Sequence, residues 1–199
     1  SFDEAAELAY FGAKILHPAS IWPAQQFKIP VKLLNTMQPE AKGTIILEQA
    51  DTNGVKAVAA KDGIVMLKIK SSRMLLAYGF LRKIFEVFEK YKTSIDMVTT
   101  SEVAVSVTID NTTHLDQIAK ELAPLGELEV LDGQTIIAVV GNKLATEKEL
   151  LANLFGSLKH VTINMVSYGG SLHNVSILVP TGEKNACLKA LNKGLFGLD

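Results

Sequence analysis

Ser94-Ile95-Asp96-Met97-Val98-Thr99-Thr100-Ser101-Glu102-Val103-Ala104-Val105-Ser106-Val107-Thr108-Ile109-Asp110 reads as two β-strands folded back on each other. An apolar run is followed by a polar corner at Thr99 to Glu102, after which Val103, Val105 and Val107 alternate with smaller or polar residues. Asp96 interrupts the first strand where an apolar residue is expected. It lies either on the solvated face of a sheet, beside ordinary turn chemistry, or in the interior, where a carboxylate needs a partner. No Lys or Arg within the stretch supplies one.

The stretch belongs to a repeat with a shift of roughly seventy residues. Ser94-Ile95-Asp96-Met97-Val98 matches Thr162-Ile163-Asn164-Met165-Val166, and Val105-Ser106-Val107 matches Val175-Ser176-Ile177. Before each hairpin a helical face recurs: Ile84, Val87, Phe88 and Tyr91 in the first copy, Leu151, Leu154, Phe155 and Leu158 in the second. A strand precedes each helix, Ile64 to Ile69 and Ile136 to Val140. A second helix follows each hairpin, carrying Leu115, Ile118, Ala119 and Leu122, then Cys187, Leu188 and Leu191. The first copy closes with a strand from Glu127 to Leu131. This is the α+β, ferredoxin-like βαββαβ order.

The second copy ends at Leu195-Phe196-Gly197-Leu198-Asp199 with no room for its fourth strand. The run Val55-Lys56-Ala57-Val58-Ala59 has the right length and no other assignment, so we expect it to cross over and complete the second sheet. The first unit (62–131) is then inserted into the second (55–60 plus 132–199). A strand donated by another chain is the competing arrangement.

Residues 1–50 do not make a domain. A helix capped by Ser1 or Asp3 runs to about Leu16 and ends at His17-Pro18; a strand is expected over Ile29 to Leu34, before the turn-rich Asn35 to Gly43. One helix and one strand cannot enclose a core.

The bulk properties narrow the function. A net charge of -1 and a 48% hydrophobic composition describe a globular chain without the basic footprint nucleic acid requires. The single cysteine, Cys187, excludes an internal disulfide or a multi-cysteine metal site. No run approaches a membrane span and no signal peptide is evident, so a cytoplasmic protein is expected. The first residue is Ser, so the chain is expected to be processed or a piece of something longer.

No phosphate loop, nucleophile elbow or dinucleotide motif occurs. His17, His114, His160 and His173 are scattered without ligand spacing, so neither a catalytic residue nor a metal ligand is assigned. Binding is expected instead. Gly79-Phe80-Leu81 offers backbone N–H groups at a helix start, suited to a carboxylate. Asp96 and Glu102 suit a cation. Together they describe a site for a basic amino acid.

The chain resembles the C-terminal part of aspartokinases, closest to the lysine-sensitive monofunctional type. The resemblance rests on Phe11-Gly12-Ala13-Lys14-Ile15-Leu16-His17-Pro18-Ala19, Ile29-Pro30-Val31, Asn35-Thr36, Gly43-Thr44, Gly79-Phe80-Leu81 and Asp96-Met97-Val98-Thr99-Thr100-Ser101-Glu102-Val103. It implies that residues 1–50 are the tail of an α/β amino-acid-kinase domain and that the two repeats are ACT domains. It further implies a parent aspartate kinase using ATP and Mg2+, with Lys14 associated with nucleotide binding. The kinase segment that carries the chemistry is missing, so this chain alone is expected to be inactive and to need no cofactor.

For the effector, the resemblance points to Met74, Ala77, Gly79, Phe80, Leu81, Ser94, Ile95, Asp96, Ser101 and Glu102, with L-lysine bound at a homodimer interface between first ACT units. Ala77 stands where a related enzyme has serine and Leu76 where a polar residue can occur. Threonine as effector, and a constitutive dimerisation module with a degenerate site, are the alternatives. Asn164 in the position of Asp96 assigns the second unit to structure and dimerisation.

Overall fold

The computed structural model describes residues 1–12, 16–49, 52–72 and 78–198. In chain order the elements are α1 (Phe2–Tyr10), α2 (Pro18–Gln26), β1 (Val31–Leu33), β2 (Thr44–Ile46), β3 (Gly54–Lys70), α3 (Phe80–Lys90), β4 (Val98–Thr100), β5 (Ala104–Ile109), α4 (Leu115–Leu122), β6 (Glu127–Asn142), α5 (Leu150–Ser157), β7 (Met165–Tyr168), β8 (Asn174–Pro180) and α6 (Lys184–Phe196).

Two strands carry the architecture. The expected runs Val55 to Ala59 and Ile64 to Ile69 are one continuous strand, β3, and Glu127 to Leu131 is likewise continuous with Ile136 to Val140 in β6. β3 and β6 pair antiparallel along nearly their whole length, at the centre of a sheet ordered β4-β5-β3-β6-β8-β7. Each long strand therefore serves twice. The C-terminal half of β3 is the first strand of unit one and the N-terminal half of β6 its fourth. The C-terminal half of β6 is the first strand of unit two, and Val55 to Ala60, paired with Val140 to Ile137 and Gly141, is its fourth. The missing strand thus comes from the chain's own crossover, not from another molecule. Register shifts between Lys61 and Met66, with Gly63 (φ 76°) and Gly133 (φ 65°) in the left-handed region, bend the pair where it passes between units.

The helices cover one face. Alternate residues of β3 and β5 (Val65, Leu67, Ile69, Val105, Val107, Ile109) pack under Ile84, Val87 and Phe88 of α3 and Ile118 and Leu122 of α4. In unit two, Ile137, Val139, Val175, Ile177 and Val179 pack under Leu150, Leu154, Cys187 and Leu191. The second helical face is rotated from the expected one: Leu150 joins Leu154 and Leu158 inside, whereas Phe155 is 38% exposed.

The opposite face explains how the N-terminal segment is held. Ala59, Ile64, Met66, Met97, Ile136, Ala138, Val140, Met165 and Leu178 form a third core with Phe11 and Leu8. α1 thus lies across the central strands, and the sheet curls until β4 and β7 approach each other. α1 is shorter than expected, ending at Tyr10. His17-Pro18 starts α2 rather than ending α1: the His17 Nδ1 accepts from the Ala19 N–H, and Pro18 occupies the first turn. The expected strand over Ile29 to Leu34 is reduced to β1, which pairs antiparallel with β2, a strand beyond the turn-rich stretch. With Phe2, Ile21 and Ile46 they close a small core of their own.

The β4–β5 hairpin is displaced from its expected position. Thr99 and Thr100 lie in β4, the corner falls at Ser101 to Val103, and β5 begins at Ala104. Ser94 to Met97 are irregular, although Asp96 N–H donates to the Thr108 carbonyl at 2.9 Å and Met97 N–H to Thr108 Oγ1 at 2.9 Å.

Candidate effector site

Asp96 takes the interior alternative, not the solvated one. Its side chain is 1% exposed, and Oδ1 accepts from Tyr10 Oη at 2.6 Å and from Lys61 Nζ at 2.9 Å. Oδ2 is buried without a hydrogen-bond partner among the described residues. The cation absent from the hairpin comes from β3, and the hydroxyl from α1. Lys61 also reaches Asp110 Oδ2 at 2.8 Å and lies 4.6 Å from the Tyr10 ring centroid. Burial, reinforced by the hydrogen bond to Asp96, pushes the Tyr10 phenol up to about 12. Burial pulls the Lys61 ammonium down, but hydrogen bonds to Asp110 and Asp96 outweigh it and hold lysine above its ordinary range. Two carboxylates around one ammonium leave the cluster with an excess negative charge.

The other expected residues fall into a second group. α3 begins after Gly79 (φ 78°) with no side-chain cap, so among the described residues its first-turn N–H groups have no side-chain acceptor. Phe80 is buried, and Leu81 is 37% exposed. Ser71 N–H donates to the Val103 carbonyl at 2.8 Å, tying the end of β3 to the hairpin corner. Ser101 and Glu102, exposed in that corner, therefore share an end of the sheet with the start of α3. Glu102 makes no ion pair among the described residues. Ser94, exposed, and Ile95, packed against the first core, lie with Asp96 at the other end of the hairpin. From Asp96 to Ser101 an extended chain covers roughly 16 Å. Met74, Leu76, Ala77 and Lys14 lie outside the described residues.

Asn164 has the same backbone attachment as Asp96, its N–H donating to the Leu178 carbonyl at 2.8 Å. Its side chain meets an amide instead of a cation, donating to Gln134 Oε1 at 2.7 Å.

Sequence reading missed Tyr10 and Lys61. A signal for Tyr10 was present: Asp3, Glu7 and Tyr10 recur at helical spacing on α1. Glu7 accepts from Ser171 Oγ at 2.8 Å and Asn174 Nδ2 at 3.0 Å, and Asp3 lies 3.7 Å from His173 Nε2. This polar stripe grips both units. Lys61 was visible only as a lysine between two apolar runs.

A cavity of about 580 Å³ lies elsewhere, lined by Glu4, Leu8, Leu16, Leu33, Ile46 and Lys56 among others. It belongs to the N-terminal segment and includes none of the expected effector residues. Among the described residues no cluster of His, Cys, Asp and Glu could hold a metal, and no helix is long and apolar enough to cross a membrane.

Two ferredoxin-like units sharing their central strands define a tandem of ACT-type regulatory modules, and residues 137–195 match the ACT domain family. The chain is 39% identical over 98% of its length to aspartokinase 1 of Arabidopsis thaliana and 36% identical over 98% to lysine-sensitive aspartokinase 3 of Escherichia coli. It spans 37% and 46% of those two proteins. E. coli aspartokinase III superposes with a TM-score of 0.89 in its complex with aspartate and ADP (R-state) and 0.83 in its complex with lysine and aspartate (T-state), each covering 98% of this chain and 46% and 45% of that one. Their identities to this chain are 35% and 36%. A putative C-terminal regulatory domain of aspartate kinase from Porphyromonas gingivalis W83 is 46% identical, covering 70% of this chain and 96% of that one, with a TM-score of 0.64. The chain belongs to the aspartokinase family, of which it is a C-terminal regulatory part.

Proposed function

We propose that this chain is the amino-acid-sensing region of an aspartate kinase, which transfers a phosphoryl group from ATP, with Mg2+, to L-aspartate to give 4-phospho-L-aspartate. L-Lysine binds between the first ACT units of two chains and restrains the kinase by feedback. The observation that carries this reading is the likeness over 98% of the chain to an aspartokinase solved with lysine.

Geometry supports the two-chain site. The start of α3 and Glu102 stand at one end of the hairpin and Asp96 at the other, farther apart than one lysine molecule can bridge. A second copy related by a two-fold axis brings one chain's α3 start to the other chain's Asp96 segment. β4 is an edge of the sheet, with Val98 39% exposed, and edge strands are the natural place for such pairing. Lysine can shift activity by no more than its preference for the restrained arrangement. The chain superposes with a TM-score of 0.89 on the R-state structure and 0.83 on the T-state one.

The closed carboxylate also favours a second reading, a dimerisation module with a degenerate site. Calorimetric titration with L-lysine, and L-threonine in parallel, separates them. Saturable heat with lysine alone is expected, and Glu102→Ala weakens it. Heat with threonine alone replaces the effector. No heat with either ligand from a folded sample favours the module.

A further inference from the structure

Asp96 faces two claims. In the amino-acid-sensing role above, on which this inference rests, its carboxylate meets the effector's ammonium. In the folded chain that carboxylate is 1% exposed, with Oδ1 held by Tyr10 and Lys61 and Oδ2 shut in without a partner. Neither oxygen can be reached from solvent. We propose that Tyr10 and Lys61 are an internal occupant of the effector site, so that a cationic amino acid on Asp96 and the Tyr10 contact that ties α1 to the Asp96 segment exclude each other.

The surrounding groups suit such an exchange. Tyr10 is 45% exposed while Phe11, next to it, is 5% exposed and anchored in the third core. The phenol can therefore swing away without unpacking the sheet. Lys61 has a second carboxylate in reach, Asp110, whose side chain is 40% exposed. Giving up Asp96 moves the ammonium from two partners to one and leaves no buried cation unpaired. The excess negative charge of Asp96 and Asp110 over Lys61 selects a cation to replace the Tyr10 contact. The orphaned Oδ2 supplies an acceptor that the internal occupant leaves unused.

The exchange also gives the signal a direction. By polar contacts α1 holds the second unit through Glu7 and Asp3 and the first through Tyr10, while Leu8 and Phe11 pack against residues of both in the third core. An effector that displaces Tyr10 removes one of these grips, and by linkage whatever fixes α1 weakens the effector. The apparent affinity equals the intrinsic one reduced by the fraction of chains already open.

The test is a calorimetric titration of L-lysine into the wild-type chain and Tyr10→Phe, with amide hydrogen exchange across residues 2–10 read in both. Tyr10→Phe keeps the ring and deletes the hydroxyl at a half-exposed position, so it folds. Lysine is expected to bind the variant about tenfold more tightly, the worth of one hydrogen bond to a charged group. Saturating lysine is expected to speed exchange in α1 of the wild type. Equal or weaker binding by the variant, with α1 exchange indifferent to lysine, overturns the lock and leaves the sensor reading intact. Binding by the variant alone supports the lock, because only the internal occupant separates the two proteins. Binding by neither removes the sensor reading and the lock with it.

Discussion

Tyr10 and Cys187 are two residues whose chemistry is set by burial, and each makes a prediction. The Tyr10 phenol is raised to about 12 because burial and the Asp96 carboxylate disfavour phenolate. Its folded value lies above its unfolded one, so its contribution is complete below the unfolded pKa of about 10 and is lost as pH rises through about 12. Urea denaturation between pH 8 and 12 should show stability falling across that window, and a Tyr10→Phe variant should fall less steeply. An identical slope in both proteins would mean that the phenol does not titrate with folding. Cys187, fully buried on the sheet-facing side of α6, is pushed up to about 11 by burial, with Glu183 adding to the shift. A thiol reagent at pH 8 should leave it unmodified in the native protein and react at once in urea. Rapid native labelling would place Cys187 nearer the surface than described.

At the scale of elements, the repeat and the order of helices and strands were legible because amphipathic faces such as Ile84, Val87 and Phe88 leave their spacing in the sequence. What escaped was the continuity of β3 and β6. The interruptions at Lys61-Asp62-Gly63 and Asp132-Gly133 have turn composition, and only long-range pairing turns them into bends within strands instead of breaks. The candidate site was legible in one half: Asp96 stood out as a carboxylate without a partner. Its partners Lys61 and Tyr10 lie 35 and 86 residues away in sequence, and no local pattern joins them. Close approach within the β3–β6 pair is itself testable. A Cβ on Gly141 would lie 2.1 Å from the Gly54 carbonyl oxygen and 2.8 Å from Val55 Cα, both backbone atoms. Gly141→Ala should push the crossover strand outward and cost about 2 kcal/mol in denaturation. An unchanged midpoint would show that β3 ends short of this contact.

For the whole molecule, the shared strands leave no linker between the two ACT units. Leu67→Ala in the first core and Ile177→Ala in the second should each lower the midpoint of a single unfolding transition, by about 2–5 kcal/mol of stability. Two separable transitions, each moved by one variant only, would show that the units unfold independently. The same sharing governs how the chain is made. During synthesis the first unit can close as soon as Glu127 to Leu131 emerges, whereas Val55 to Ala60 must wait for Ile137 to Gly141. At roughly 5–20 residues per second the delay is about 0.5–2 s. Throughout it, an apolar half-strand hangs from a finished neighbour with both edges bare, guarded by Lys56 and Lys61, so the nascent chain is most open to mispairing with a second ribosome's product in that interval.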